Sequence, residues 1–250
     1  MIDSRDITIT IVFDNYPFQE GLKSLWGFSC YIETPNKNIL FDTGSNGRVL
    51  LENMRKLHLD LKKVDTLFLT HHHWDHIGGL DSVIELNPDL DIIAPSSLSK
   101  LYVRDLKSMV RSVRVIEENP TLLSDDIYTT GMMGDDVTEQ ALVIESDKGL
   151  IVITGCAHSG IVAIAKKAEM MLEKKIALLL GGFHLMHEEK TRIEQVIAEL
   201  KTMDIAYLSP THCTGDRAIE LFQRAFADRC IQGGVGRVIT LNHAALHALS

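Results

Sequence analysis

Asp65-Thr66-Leu67-Phe68-Leu69-Thr70-His71-His72-His73-Trp74-Asp75-His76-Ile77-Gly78-Gly79-Leu80 is the stretch whose reading decides the fold. A short apolar run leads into a dense polar cluster and then a glycine pair. That is the pattern of a buried strand ending in a functional loop and a turn. Four of the 11 histidines fall within residues 71–76, and imidazole is the commonest metal ligand among side chains. If the backbone stays extended through Asp75, side chains alternate along it. His71, His73 and Asp75 then point to one side, His72 and Trp74 to the other, and His76 sits at the turn. The spacing HxHxDH offers three imidazoles and a carboxylate within reach of one another. These donors suit Zn²⁺, Fe or Mn²⁺ and need no thiolate. At this chain's own His and Asp frequencies, chance yields the pattern in roughly one or two sequences per thousand, which weighs against a merely surface histidine-rich turn.

Outward from this segment, two kinds of pattern alternate. Strand-like runs are Ile7–Phe13, Phe28–Glu33, Ile39–Asp42, Val64–Thr70, Leu90–Ala94, Val113–Glu117, Ala141–Glu145, Leu150–Thr154, Ile176–Gly181, Ile205–Ser209 and Arg237–Leu241. They are short, rich in Ile, Val and Leu, and bounded by turn residues. Apolar stripes at helical spacing lie between them: Leu50/Leu51/Met54/Leu57, Ile161/Ile164/Ala165/Ala168/Leu172, Ile193/Val196/Ile197/Leu200 and Ala218/Phe222/Ala225/Phe226. Helices packed on sheets account for every stripe. The order of elements predicts an α/β layout with two sheets and two similar halves. Residues 96–139 are the least regular. They hold a helical pattern at Ser97–Val110 and a Gly131–Asp136 segment, and read as a surface excursion or as a flap over a site.

Composition narrows the function. The chain has 250 residues, 45% hydrophobic and 24% charged, which excludes a disordered or fibrous protein. No apolar run reaches the ~18–20 residues of a membrane span. The N-terminus is polar and acidic, without the apolar core of a signal peptide. Four widely spaced cysteines form no CxxC pair, so a reduced, cytoplasmic protein is expected. A net charge of −9 argues against nucleic acid as the main partner and leaves a small-molecule substrate, an anionic one included. Nothing in the sequence sets an oligomeric state.

Three more segments follow apolar runs: Asn38-Ile39-Leu40-Phe41-Asp42-Thr43-Gly44, Thr154-Gly155-Cys156-Ala157-His158-Ser159-Gly160 and Ser209-Pro210-Thr211-His212-Cys213-Thr214-Gly215. Together with HxHxDH they resemble the motifs of the metallo-β-lactamase superfamily across nearly the whole chain. The resemblance implies one domain over residues 1–250, a four-layer αβ/βα sandwich of two mixed sheets packed face to face with helices outside. It implies one or two divalent metal ions, zinc foremost, with His71, His73 and His158 on one and Asp75, His76 and His212 on a second. Asp42 supports the site from behind, as ligating histidines require. Three protein ligands per ion leave an open position, as catalytic sites do.

The implied chemistry is hydrolysis, or a related transfer, of a small phosphorylated or anionic substrate through a metal-bound hydroxide that Asp75 orients. "EQALVI" (Glu139–Ile144), "GGFHL" (Gly181–Leu185), "GCAHSGI" and "THCTG" further resemble the subgroup labelled 7,8-dihydropterin-6-methyl-4-(β-D-ribofuranosyl)aminobenzene-5′-phosphate synthase. That label implies a transferase joining a dihydropterin-methyl diphosphate to an aminobenzene ribofuranosyl phosphate. A di-iron oxidoreductase is disfavoured, because such members usually carry Glu at the place of His73 and a bridging Asp at the place of Phe183. A non-catalytic metal-binding protein is the remaining reading.

Where most two-metal members carry that bridging Asp, this chain has Gly181-Gly182-Phe183-His184. His184 is the natural substitute, as ligand, substrate contact or acid. Cys156 and Cys213 read first as small buried hydrophobes. His58, His187, His243 and His247 read as helix-end, surface or tail residues.

Overall fold

Short Ile/Val/Leu runs become strands and the helical stripes become helices, in the order the sequence lays them out. The structure is a computed structural model that describes residues 1–241, so His243 and His247 lie outside the described residues. The chain divides into two compact units. The first is Ile2–Glu117 with the described part of Gly234–Ser250, and the second is Glu118–Gly233 with Met1.

The first unit holds seven strands: β1 (Thr8–Phe13), β2 (Ser29–Glu33), β3 (Asn38–Phe41), β4 (Thr66–Phe68), β5 (Asp91–Pro95), β6 (Ser112–Ile116) and, from the chain's end, β13 (Val238–Thr240). Their order in the sheet is β13-β1-β2-β3-β4-β5-β6. Pairing is antiparallel from β13 to β3 and parallel from β3 to β6. Helices α1 (Gly47–Lys56), α2 (Trp74–Ile77), α3 (Leu80–Leu86) and α4 (Lys100–Met109) occupy the crossovers. Asn46 caps α1 by accepting from the Val49 N–H, and Ser99 caps α4 by accepting from Tyr102. The stripe Leu50/Met54 is buried in one core with Leu40, Leu67, Val83 and Leu106. Each such side chain contributes about 1.5–3 kcal/mol of burial.

The second unit holds β7 (Thr121–Ser124), β8 (Ile127–Thr129), β9 (Leu142–Ser146), β10 (Gly149–Thr154), β11 (Ile176–Gly182) and β12 (Tyr207–Thr211). They lie in the order β12-β11-β10-β9-β8-β7, parallel among β10, β11 and β12 and antiparallel elsewhere. Strand β11 is buried at all seven positions, the near-continuous apolar run expected of a central parallel strand. Helices α5 (Ile161–Leu172), α6 (Lys190–Thr202) and α7 (Asp216–Phe226) bury their stripes in one core with Val152, Leu179 and Leu208.

The fold is thus α/β, with two mixed sheets and their helices. Residues 96–139 supply α4 and β6 to the first unit and β7 and β8 to the second. One detail differs from the sequence reading. The segment after Phe68 does not stay extended through Asp75. Strand β4 stops at Phe68, and Trp74–Ile77 forms a short helix. The physical reason lies in Asp42, whose Oδ1 accepts the Thr70 N–H at 2.8 Å. A side chain thereby takes the donor that a continuing strand would have offered to a neighbour.

Candidate metal centre

Every candidate ligand follows the carboxyl end of a parallel strand, where α/β sheets present their site residues. In the first unit Asp42 follows β3, and His71, His73, Asp75 and His76 follow β4. His71, His76 and Asp42 are fully buried, Asp75 is 6% exposed, and His73 is half-buried. The His71 ring lies 4.6 Å from that of His73 and 4.3 Å from that of His76, centroid to centroid. Asp75 joins them from α2 rather than from an alternating strand, with Oδ2 3.6 Å from His76 Nε2. His72 and Trp74 are exposed, Trp74 at 62%.

The support behind these side chains is specific. Asp42 Oδ2 is 2.7 Å from His76 Nδ1 and accepts the Thr70 hydroxyl at 2.7 Å. Thr70 Oγ1 is also 2.9 Å from His71 Nδ1. Both imidazoles are therefore held through Nδ1, which leaves Nε2 as the ligating nitrogen of each. Burial pushes the Asp42 pKa up, and His76 and Thr70 oppose the rise. The backbone is pinned as well: Thr43 N–H and its hydroxyl both donate to His76 O, at 2.7 and 2.9 Å. A Cβ at Gly27 would lie 2.5 Å from Asp75 O, so only glycine lets the chain pass there.

In the second unit His158 follows β10, His184 follows β11 and His212 follows β12. His212 is fully buried, His158 half-buried and His184 exposed. The rings of His158 and His184 are 4.2 Å apart. Cys156, which the sequence reading treated as a core residue, offers Sγ 3.5 Å from His212 Nε2. Donor atoms of Cys156, His158 and His184 also lie within 4.8 Å of one another. The signal that could have found Cys156 is its place two residues before His158 in a strand-end loop.

Hydrogen bonds fix these loops to each other. Gly182 N–H donates to Gly155 O at 3.1 Å, Phe183 N–H to Thr214 Oγ1 at 3.0 Å and Cys213 Sγ to Cys156 O at 3.4 Å. The hydrogen bond with Cys213, aided by the charges of Glu139 and Glu188, raises the His184 pKa against its partial burial. His158 and His184 line a cavity of about 390 Å³ whose wall also carries Lys166, Glu188, Arg192 and Glu199. Four of the nine non-glycine residues with positive φ among the described residues are Asp42, Ala157, His184 and His212. Such backbone strain gathers at functional sites.

The donor chemistry fits a divalent ion. Two N or O ligands of one tetrahedral zinc lie about 3.3 Å apart, and a thiolate lies about 3.6 Å from a nitrogen on the same ion. Cys156/His212 in the second unit has the sulfur–nitrogen spacing, and Asp75/His76 in the first, at 3.6 Å, stands about 0.3 Å wider than the nitrogen–oxygen one.

The comparisons agree with this architecture. The model of the metallo-β-lactamase superfamily matches residues 27–164. A solved metal-dependent hydrolase of the β-lactamase superfamily aligns with a TM-score of 0.79 at 25% identity, covering 93% of this chain and 98% of its own. A 7,8-dihydropterin-6-methyl-4-(β-D-ribofuranosyl)-aminobenzene-5′-phosphate synthase of Methanocaldococcus jannaschii is 27% identical over 92% of this chain and 95% of its own length. An uncharacterized protein of the same organism is 30% identical over 92% and 99%. With strand-end donors in both units and a family model spanning more than half its length, the chain belongs to the metallo-β-lactamase superfamily.

Proposed function

We propose that the chain is a metal-dependent hydrolase of a small phosphorylated or otherwise anionic substrate. His71, His73 and His158 hold one divalent ion, and Asp75, His76 and His212 hold a second. Zinc suits these ligands best, with Fe and Mn as alternatives. When bound, such an ion brings the pKa of a coordinated water to about 7 and so supplies a nucleophile at neutral pH.

The chain's own residues do the rest. Asp42 and Thr70 lock the imidazoles of His76 and His71 in the orientation that presents Nε2. The Asp75 carboxylate orients the attacking water and accepts a proton from it. His184, on the cavity wall beside His158, donates a proton to the departing oxygen. Arg192 and Lys166 on the same wall attract an anionic substrate, though Glu199 holds Lys166 at 3.2 Å. A net charge of −9 favours a small molecule over a nucleic acid. Among the described residues no helix is long and apolar enough to cross a membrane.

The observation that carries this reading is the cluster of His71, His73, Asp75 and His76 with Asp42 behind it. The likeness to a solved metal-dependent hydrolase, at 25% identity, supports it. The 27% identity to a synthase, spread over 92% of the chain, favours a second reading as a transferase. Product analysis separates the two. The purified protein is loaded in turn with Zn²⁺, Mn²⁺ and Fe²⁺ and offered a panel of phosphoesters, then the dihydropterin-methyl diphosphate with the aminobenzene ribofuranosyl phosphate. Metal-dependent hydrolysis of single esters is expected. Pyrophosphate released only when both pterin-pathway substrates are present would replace hydrolysis with transfer, and no turnover with any metal would remove both.

A further inference from the structure

The proposed centre lacks the bridging carboxylate of most two-metal relatives, and the local packing leaves no room for one in its usual segment. Phe183 is 1% exposed and packs its ring edge-on to Phe222, 5.4 Å between centroids, so its side chain belongs to the core. A Cβ at Gly182 would lie 2.4 Å from Gly155 O and 2.6 Å from Cys213 Sγ. No side chain of any kind fits there.

The second unit offers another anionic donor instead. Cys156 Sγ is 3.5 Å from His212 Nε2, close to the roughly 3.6 Å that a thiolate and an imidazole keep on one shared tetrahedral ion. The same sulfur lies within 4.8 Å of the donor atoms of His158 and His184. It thus stands next to one histidine assigned to each ion. The bland alternative, a small buried thiol donating weakly to a histidine, explains the first contact but not the second. Cys213 has a different task, since its Sγ donates to Cys156 O and fixes the loop on which Cys156 sits.

We propose that Cys156 is a metal ligand, its thiolate taking the bridging place that a carboxylate fills in most two-metal relatives. This rests on the functional reading above, because it presupposes the two ions. Binding converts Cys156–SH to a metal-bound thiolate and releases one proton to solvent per chain. His184 is then free of ligand duty and remains the acid.

Cobalt substitution tests this without reference to turnover. The full chain loaded with Co²⁺ should bind two ions and show a thiolate-to-cobalt charge-transfer band in the near ultraviolet. Cys156→Ser should lose the band and fall toward one ion per chain. Cys156→Asp should regain two ions without the band, and Cys213→Ser should keep it. Should Cys156→Ser fail to fold, the wild-type band itself still decides. Two cobalt ions bound with no thiolate band would overturn the thiolate bridge while sparing the two-metal reading. A band lost in Cys213→Ser but kept in Cys156→Ser would do the same. No cobalt binding at all would end both.

Discussion

Asp42 has a φ of 52°, a left-handed conformation that Asp tolerates better than most residues. It is fully buried, and its carboxylate meets the Thr70 N–H, the Thr70 hydroxyl and His76 Nδ1. Removing a buried acceptor strands its donors, so Asp42→Ala should cost about 2–4 kcal/mol in urea unfolding. Asn keeps one acceptor oxygen and the left-handed preference, so Asp42→Asn should cost distinctly less. Both variants should bind metal about 10–100-fold more weakly, because His76 loses its anchor. Equal destabilisation by Ala and Asn would show that the carboxylate does not organise this loop. The donors themselves were legible in the sequence because HxHxDH compresses four of them into six residues. Cys156 is harder to read, because a lone cysteine in a strand-end loop looks the same whether it packs or ligates, and only its place two residues before His158 marks it.

Elements differ in how much of their cause is local. Helix α7 was legible because Ala218, Phe222 and Phe226 recur at helical spacing, and the structure buries all three. Phe222 packs on Phe183 at 5.4 Å and on Phe226 at 6.0 Å. Phe222→Ala should therefore lower stability by about 3–5 kcal/mol, measured by denaturant melting. A loss under about 1 kcal/mol would mean that the core collapses around the gap. Other elements answer to non-local partners. Helix α2 has four residues, too few for any periodicity, and is set by the contacts of Thr43 with His76 O. Strands β7 and β8 are short, and β7 lies at a sheet edge without a buried face to give it an alternating pattern.

Charge adds an element-scale effect on the parallel edge of the first sheet. Arg111 grips both carboxylate oxygens of Asp91 at 3.0 and 2.8 Å and holds its pKa below the ordinary carboxylate range. A depressed folded pKa contributes stability above the unfolded value of about 3.9, lost as pH falls through the folded value. With the two side chains 31% and 42% exposed, screening keeps this to about 1 kcal/mol or less. Asp91→Asn should flatten the acid limb of stability below about pH 4 by that amount. An unchanged limb would assign the acid sensitivity to other carboxylates.

At the scale of the molecule, one arrangement recurs: a parallel strand ends and a metal-type donor follows, in the first unit after β4 and in the second after β10, β11 and β12. That recurrence was readable as motifs. Two similar halves were readable too, but the boundary between them was not, because no Pro/Gly-rich linker separates residues 117 and 118. Under the proposed function these donors hold metal in the folded chain. Binding to the folded state alone adds RT ln(1 + [M]/Kd), about 2.7 kcal/mol at a hundredfold excess over Kd. For a chain of this length that raises the thermal midpoint by about 5–10 °C. A chelator should lower the midpoint by this much, and Zn²⁺ should restore it. His71→Ala in the first unit and His158→Ala in the second should each reduce the metal-induced rise, because each removes a ligand of the same ion. A rise that survives His158→Ala intact while vanishing in His71→Ala would confine metal binding to the first unit and break the proposed centre apart.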